Sequence, residues 1–297
     1  MIKNSTSISV IIPTYNSWNT LKKCISSIQK QSIKAAEIIV VNNASSDETE
    51  KMVKKQYRKV ELITLDRNTG VTGGRNAGIK KANKQSEYVL FLDHDMVADR
   101  NMIKELIKVG ESNPEIGIVT PKIYYWGNKK RIWSAGTGIN LWTGKIMFRG
   151  GNDNGQYEKA EEVEVAPAAI LVKKELMKKI KFFDNNYFAT YEDTDFCFRA
   201  REMGFKTFYA PKAVAYHILS WDPKDDATRV LSRSYWIGRN RVIFMKRFGK
   251  SFPIFLFFLL MLTGYYLGIS ILNNRISDGV RFLKGTMSGF FYSANRG

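Results

Sequence analysis

Apolar residues recur along this chain in two alternating rhythms. The β-branched runs Ser7–Ile12, Glu37–Val41 and Val60–Leu65 have the continuity of buried strands. Between the first two, Leu21, Cys24, Ile25 and Ile28 fall three and four apart, which predicts a helix over Trp18–Gln29. Glu48–Tyr57 fits a second helix, with Ser46 or Asp47 available to cap it. Asn76–Asn83 reads as a third and leads into Tyr88-Val-Leu-Phe-Leu92, another buried strand. Strands alternating with helices at this spacing predict βαβ units, hence an α/β fold with a mostly parallel sheet flanked by helices.

The second half is less regular. Met102–Val109 reads as helix and Ile116–Thr120 as strand. From Tyr124 to Gly155 the chain is rich in Gly, Trp and Asn, with strand-like runs only at Ile132–Ser134 and Lys145–Phe148. Segments this long and irregular inside a domain are usually functional or mobile. Val163–Val172 predicts one strand, Lys173–Ile180 a helix, the acidic stretch to Asp195 the mouth of a helix reaching about Met203, and Phe205–Tyr209 a late strand. The pattern then changes. Phe252–Leu272 carries no charge and is long enough to cross a bilayer, with Lys246, Arg247 and Lys250 before it. Ile276, Val280, Leu283, Met287 and Phe290 follow on one helical stripe with Arg281 and Lys284 nearby, as in an amphipathic helix at a membrane interface. A hairpin of soluble helices would show a similar run, and Pro253, Gly264 and Gly268 suit either. The membrane reading divides the chain into a globular domain over 1–245 and a membrane-associating helical segment over 246–297.

Hydrophobic residues at 44% and charged ones at 25% of 297 residues are ordinary for a globular chain. The 46 Lys and Arg against 28 Asp and Glu, a net +18, are not, and they call for an anionic partner. Nucleic acid is the poorer choice, because the basic residues are dispersed and no recognition-helix, RNP or zinc pattern accompanies them. An anionic membrane surface or a phosphorylated small molecule fits better. Cys24 and Cys197 form no C-x-x-C pair, which argues against a disulfide framework or zinc site and for a reducing cytoplasm. Ile8–Ile12 is too short for a signal peptide and runs straight into Pro13.

Candidate chemistry collects at predicted strand ends. Asp93-His-Asp95 follows the strand from Tyr88, and two acids there suit a hard divalent cation bridging to phosphate. Alone, such a pair more often caps a turn. Pro13–Asn16 and Asn42–Asp47 share the same rim if the strands are parallel. Asn68–Gly78 holds four glycines and Arg75, which suggests close backbone approach to phosphate and a bidentate charge. It lacks the dinucleotide G-x-G-x-x-G spacing. His94, between the two acids, is expected to point away from them.

In this order, Val10-Ile-Ile-Pro-Thr-Tyr-Asn16, Val40-Val-Asn-Asn-Ala-Ser-Ser-Asp47, the glycine-rich Asn68–Gly78, Asp93-His-Asp95 and Tyr191-Glu-Asp-Thr-Asp-Phe-Cys-Phe-Arg199 resemble the family-two inverting glycosyltransferases with the GT-A (Rossmann-like) fold, especially their rhamnosyltransferase-like branch. The resemblance covers residues 7 to 245. It implies that Pro13, Thr14, Tyr15 and Asn16 cradle the base and ribose of a nucleotide sugar. Asn42 stands where the family usually has an Asp that accepts from the pyrimidine N3–H. Gly70, Arg75 and Asn76 match the nucleotide-floor loop, and Asp93 the ribose-side acid. Asp95, with His217 after the late strand, matches a site for Mg²⁺ or Mn²⁺. Asp193 matches the catalytic base, while Glu192, Trp133, Arg239 and Asn240 are candidates for the acceptor side. Asp195 is as apt to cap its helix as to touch substrate.

The function implied is metal-dependent inverting transfer of a sugar from a UDP- or dTDP-sugar donor to a hydroxyl of a glycan or lipid-linked glycan, at the cytoplasmic face of the cell membrane, in cell-surface polysaccharide or glycoconjugate synthesis. The rival is a polyprenyl-phosphate glycosyltransferase. Its anionic acceptor needs little help from a base, so the complete Glu192-Asp193-x-Asp195 motif counts against it.

Overall fold

The computed structural model describes residues 6–220 and 222–292. The first half follows the predicted rhythm: β1 (Ile8–Thr14), α1 (Trp18–Gln29), β2 (Glu37–Asn42), α2 (Thr49–Gln56), β3 (Glu61–Thr64), α3 (Gly70–Lys81) and β4 (Tyr88–Leu92). β1 pairs in parallel with β2 and β4, and β2 with β3, so these strands all end on one rim. Their alternate side chains fill two cores. Ile8, Val10, Ile12 and Leu90 face α1, while Ile11, Ile39, Val41 and Phe91 face the opposite layer. Each such side chain, fully buried, contributes about 1.5–3 kcal/mol.

Two elements differ from expectation. α3 starts at Gly70, not Asn76, so the glycine-rich stretch is helix and not a phosphate-cradling loop. Its glycines are spent on close packing: a Cβ on Gly78 would sit 2.4 Å from the Ile11 side chain, and one on Gly74 2.8 Å from Pro13. Val163–Val172 is not one strand. After β5 (Met96–Ala98), α4 (Met102–Gly110), β6 (Ile116–Tyr125), β7 (Asn128–Ser134), β8 (Thr137–Ile139), β9 (Ile146–Phe148) and β10 (Gly151–Asn152), it divides into β11 (Glu161–Val163) and β12 (Ala169–Lys173). Pro167 and the left-handed Ala168 (φ 60°) make the break. β12 then inserts antiparallel between β4 and β6, giving the order β10-β7-β6-β12-β4-β1-β2-β3. The sheet is therefore parallel where β1 to β4 meet and mixed beyond. β8 and β9 form a separate ribbon.

α5 (Lys174–Ile180) and α6 (Glu192–Glu202) follow, and then β13 (Lys206–His217), longer than the Phe205–Tyr209 expected. An irregularity between Ala210 and Val214 lets it continue along β6 and pair His217 opposite Met96 of β5. The chain ends in α7 (Pro223–Ser232), α8 (Ser234–Phe248), α9 (Phe252–Leu272) and α10 (Ile276–Phe291). α10 lies against α8 at glycines: a Cβ on Gly285 would collide with the Tyr235 carbonyl, and one on Gly289 with that of Arg239. The segment after residue 245 is thus packed into the same body as the sheet.

Candidate active site

β1, β4 and the loop before α6 enclose a cavity of about 210 Å³. Pro13, Thr14 and Tyr15 line it from β1, Asp93, His94 and Asp95 from the end of β4, and Phe188 to Thr190 with Glu192 from the loop and α6. Larger hollows lie between α4 and α5 (about 1050 Å³) and along α1 (about 800 Å³), but neither holds these carboxylates.

A closed ring of contacts joins the two acidic motifs. The Asp93 N–H donates to the Ala168 carbonyl (3.0 Å), and the Ala168 N–H donates to Asp193 Oδ2 (3.2 Å). Arg75 closes the ring, donating to Asp93 Oδ1 (2.9 Å) and to Asp193 Oδ1. Its guanidinium is fully buried over the Phe183 ring, with these two carboxylates raising its pKa against the effect of burial. In this structure Arg75 binds two carboxylates. A buried charge is tolerable only when paired, and a guanidinium fork meets two acids well. Each Asp193 oxygen has one partner, which leaves a lone pair on each for a hydroxyl.

Glu192 has the opposite environment. Its Oε2 is buried with no hydrogen-bond partner, and burial with the neighbouring Asp193 charge pushes its pKa up to about 8. That favours the protonated acid, a hydrogen-bond donor in the cavity wall. The backbone before it is strained: Thr190 and Tyr191 both lie at φ 66°, a region that costs about 1–3 kcal/mol per non-glycine residue. Asn240 holds them, donating to the Ala189 and Thr190 carbonyls (2.8 and 2.9 Å), and Arg239 donates to the Asn186 carbonyl (2.7 Å). Both residues brace the loop from α8 and do not line the cavity. Asp195, fully buried, pairs with Arg199 one turn on in α6 and ties the helix to Arg247 of α8.

Asp95 Oδ2 stands 3.1 Å from His217 Nε2, because β13 runs out beside β5. Burial raises the Asp95 carboxyl, but the His217 hydrogen bond and charge outweigh it and bring it down to about 2. Trp133 meets the His217 ring edge-on at 4.4 Å. Among the described residues no three His, Cys, Asp or Glu side chains gather to hold a metal unaided. Two protein donors beside a cavity suit a cation that arrives with phosphate oxygens of its own. Asp93 is directed elsewhere, toward Arg75, and burial raises its carboxyl despite that charge.

The remaining residues divide between wall and frame. Gly70 (φ 74°) lines the cavity, with its Cα facing the Phe188 carbonyl so closely that no side chain fits. Asn16 sits on the rim at φ 47°, its Oδ1 accepting from the Ser46 N–H (2.8 Å). Asn42 is fully buried, accepting from the Ser45 N–H (3.0 Å) and donating to Glu50 (3.3 Å), so it closes a turn and does not reach a base. Asn76 donates to the Phe183 carbonyl and accepts from the Phe183 N–H, both at 2.9 Å, fixing the loop to α3. His94 lines the cavity, its ring held by Thr20 of α1 and by Ser17 just before that helix. Asn43 and Asn68 line the wall from within the quoted motifs, and Phe188 and Arg233 are wall residues that the sequence did not single out. Arg233 was not legible, since a lone arginine before a helix carries no signal.

Parallel strands ending on one rim, two acids after β4 and an acid at the mouth of α6 are the arrangement of a GT-A type fold. The glycosyl transferase family 2 domain matches residues 9–180, and the chain belongs to that family as a nucleotide-sugar-dependent glycosyltransferase. It is 25% identical to poly-beta-1,6-N-acetyl-D-glucosamine synthase of Staphylococcus epidermidis over 97% of this chain and 70% of that protein. It is 34% identical to the poly(ribitol-phosphate) beta-N-acetylglucosaminyltransferase TarP of Staphylococcus aureus over 36% of this chain and 33% of that one. With glycosyltransferase GlyA of Streptococcus pneumoniae it shares 35% identity over 34% of its own length and 14% of the relative's. Among solved structures, S. aureus TarS 1–349 in complex with UDP superposes with TM-score 0.55 at 19% identity, covering 98% of this chain and 93% of that one, which establishes the shared fold.

Proposed function

We propose that this enzyme transfers a sugar, with inversion, from a UDP- or dTDP-sugar to a hydroxyl of a glycan or lipid-linked glycan in cell-surface polymer synthesis, while attached to the cytoplasmic face of the membrane through its C-terminal helices. The observation that carries the reading is the Asp93–Arg75–Asp193–Ala168 ring, which joins Asp193 to Asp93 of the cavity wall although the two acids lie 100 positions apart in sequence. TarS, solved with UDP, and the names of TarP and the poly-N-acetylglucosamine synthase support the donor and the kind of polymer.

Tyr15, 45% exposed, offers a face for the base, and Asp93 a carboxylate for the ribose. Asp95 and His217 would hold Mg²⁺ or Mn²⁺ together with the donor diphosphate. When bound, that cation offsets the charge that the leaving diphosphate acquires. Asp193 takes the proton of the acceptor hydroxyl as its oxygen bonds to the anomeric carbon and the bond to the diphosphate breaks. Neutral Glu192 donates a hydrogen bond to the reacting sugar.

Asp193→Asn should lower transfer by about 10²–10⁴-fold and leave the thermal shift produced by a nucleotide sugar with Mn²⁺ nearly unchanged. Substantial turnover by that variant would remove Asp193 from the role. A shift of equal size with a metal chelator present would remove the metal from donor binding.

A further inference from the structure

The catalytic body ends in a hairpin with two unlike faces. α9 seats Phe255, Leu259, Tyr266 and Ser270 in buried positions, against α8 at one end and against Leu231 and Phe282 at the other. From Phe255 to Ser270 this seat is about 22 Å long, at 1.5 Å per residue. The opposite face leaves Phe257, Leu260, Met261, Tyr265 and Leu272 between 60% and 83% exposed. α10 extends that surface. Its Gly279 meets Ser270 and Leu267 of α9. At about 100° per residue, Ile276, Val280, Leu283 and Met287 come next around the helix, and Lys284 and Arg281 follow on the far edge. All four of those apolar side chains are exposed.

The charge is as one-sided as the apolarity. From residue 246 to 292 the basic residues are Lys246, Arg247, Lys250, Arg275, Arg281 and Lys284, against the single acid Asp278. Asp278 is buried and already paired with Arg275 (2.6 Å) and Arg281 (3.4 Å). Arg247 is turned to Asp195 and Asp184, so the excess charge of this segment comes chiefly from Lys246, Lys250 and Lys284, and an apolar plateau beside such lysines complements anionic lipid. A second copy of the chain would set like charges against each other.

We infer that α9 does not cross the bilayer, although it is long enough: the α9–α10 hairpin lies flat in one leaflet of an anionic membrane and holds the catalytic cavity at its surface. To cross, α9 would have to leave its seat and uncover the apolar side of α8, where Val242 and Phe244 are buried. Lying flat, it buries both faces, one in protein and one in lipid. The cavity stays close to the leaflet because Arg233 in its wall is two residues from Leu231, which packs on Tyr266 and Phe282. This deepens the membrane attachment proposed above and holds whichever sugar is moved.

The test uses the full chain added to preformed vesicles of phosphatidylcholine, with and without phosphatidylglycerol. Flotation should show binding to the anionic vesicles. Leu260→Glu with Met261→Glu should weaken it by about tenfold or more, with the melting temperature unchanged because both side chains are exposed. Orientation is read by cysteines, since Cys24 and Cys197 are both buried. Asn273→Cys in the hairpin turn should react with a membrane-impermeant maleimide outside intact vesicles as readily as Ser112→Cys after α4. Reaction of Asn273→Cys only after the vesicles are opened would mean that α9 crosses, overturning the inference while leaving attachment intact. Absence of vesicle binding, with sedimentation showing a dimer that the two glutamates dissociate, would overturn both.

Discussion

Glu192 and Asp193 are adjacent acids with opposite tasks, and environment makes the division. Asp193 meets a buried arginine and a backbone N–H, whereas Glu192 Oε2 is buried without a hydrogen-bond partner beside the Asp193 charge. A carboxyl at about 8, raised from its ordinary 4.5, keeps in the folded state a proton that the unfolded chain has released. The contribution of Glu192 to stability therefore falls as pH rises from about 4.5 to about 8 and levels off above. Glu192→Gln removes this loss. Its melting temperature should match the parent's at pH 4 and exceed it by roughly a few degrees at pH 8, read by calorimetry without donor. Gln also keeps a donor at the same place, so Glu192→Gln should retain most of its transfer activity at pH 7, where Glu192→Ala loses it. A Gln variant as inactive as the Ala variant would show that Glu192 works as an anion.

At the scale of elements, α8 is the strut that keeps the loop before α6 strained. Two left-handed residues there cost about 1–3 kcal/mol each, and the two Asn240 hydrogen bonds return about 0.5–1.5 kcal/mol each. The balance is narrow, so Asn240→Ala should release Thr190 and Tyr191 and lower kcat by about tenfold or more, with a smaller change in KM for the donor. Rescue of activity by Asn240→Asp, which offers no N–H to either carbonyl, would contradict this account. Arg241 reinforces the strut, donating to the Tyr191 hydroxyl (2.8 Å) and interacting with Tyr266 of α9. The hairpin is thereby linked to the residue just before Glu192.

For the whole molecule, a boundary at 245 does not describe a separable catalytic unit. α10 covers α8 through Gly238, Gly285 and Gly289, and Phe282 is fully buried. A chain ending at Lys250 should fold poorly, with a melting temperature lowered by several degrees or more and weaker donor-induced stabilisation. A truncated protein as stable and active as the full chain would restore the boundary.

The amino-acid sequence by itself determined the first four strands and their helices, because continuous apolar runs and three-four spacing are local signals that packing later reinforces. It also determined the acids: Asp93, Asp95, Glu192 and Asp193 all reach the cavity or its frame. Tertiary structure decided what each one faces. Arg75 read as a phosphate ligand and is a buried counter-ion, because Asp193, 118 positions away, is folded onto it. Asn42 read as a base contact and closes a turn, because its amide satisfies Ser45 and Glu50 first. The glycines of α3 read as a loop approaching phosphate and are the spaces into which Ile11, Pro13 and Phe188 pack. Residue type and spacing specify what a side chain can do chemically. Which partner it satisfies depends on contacts between distant segments, and these exist only after the sheet closes and α8 and the hairpin dock on it.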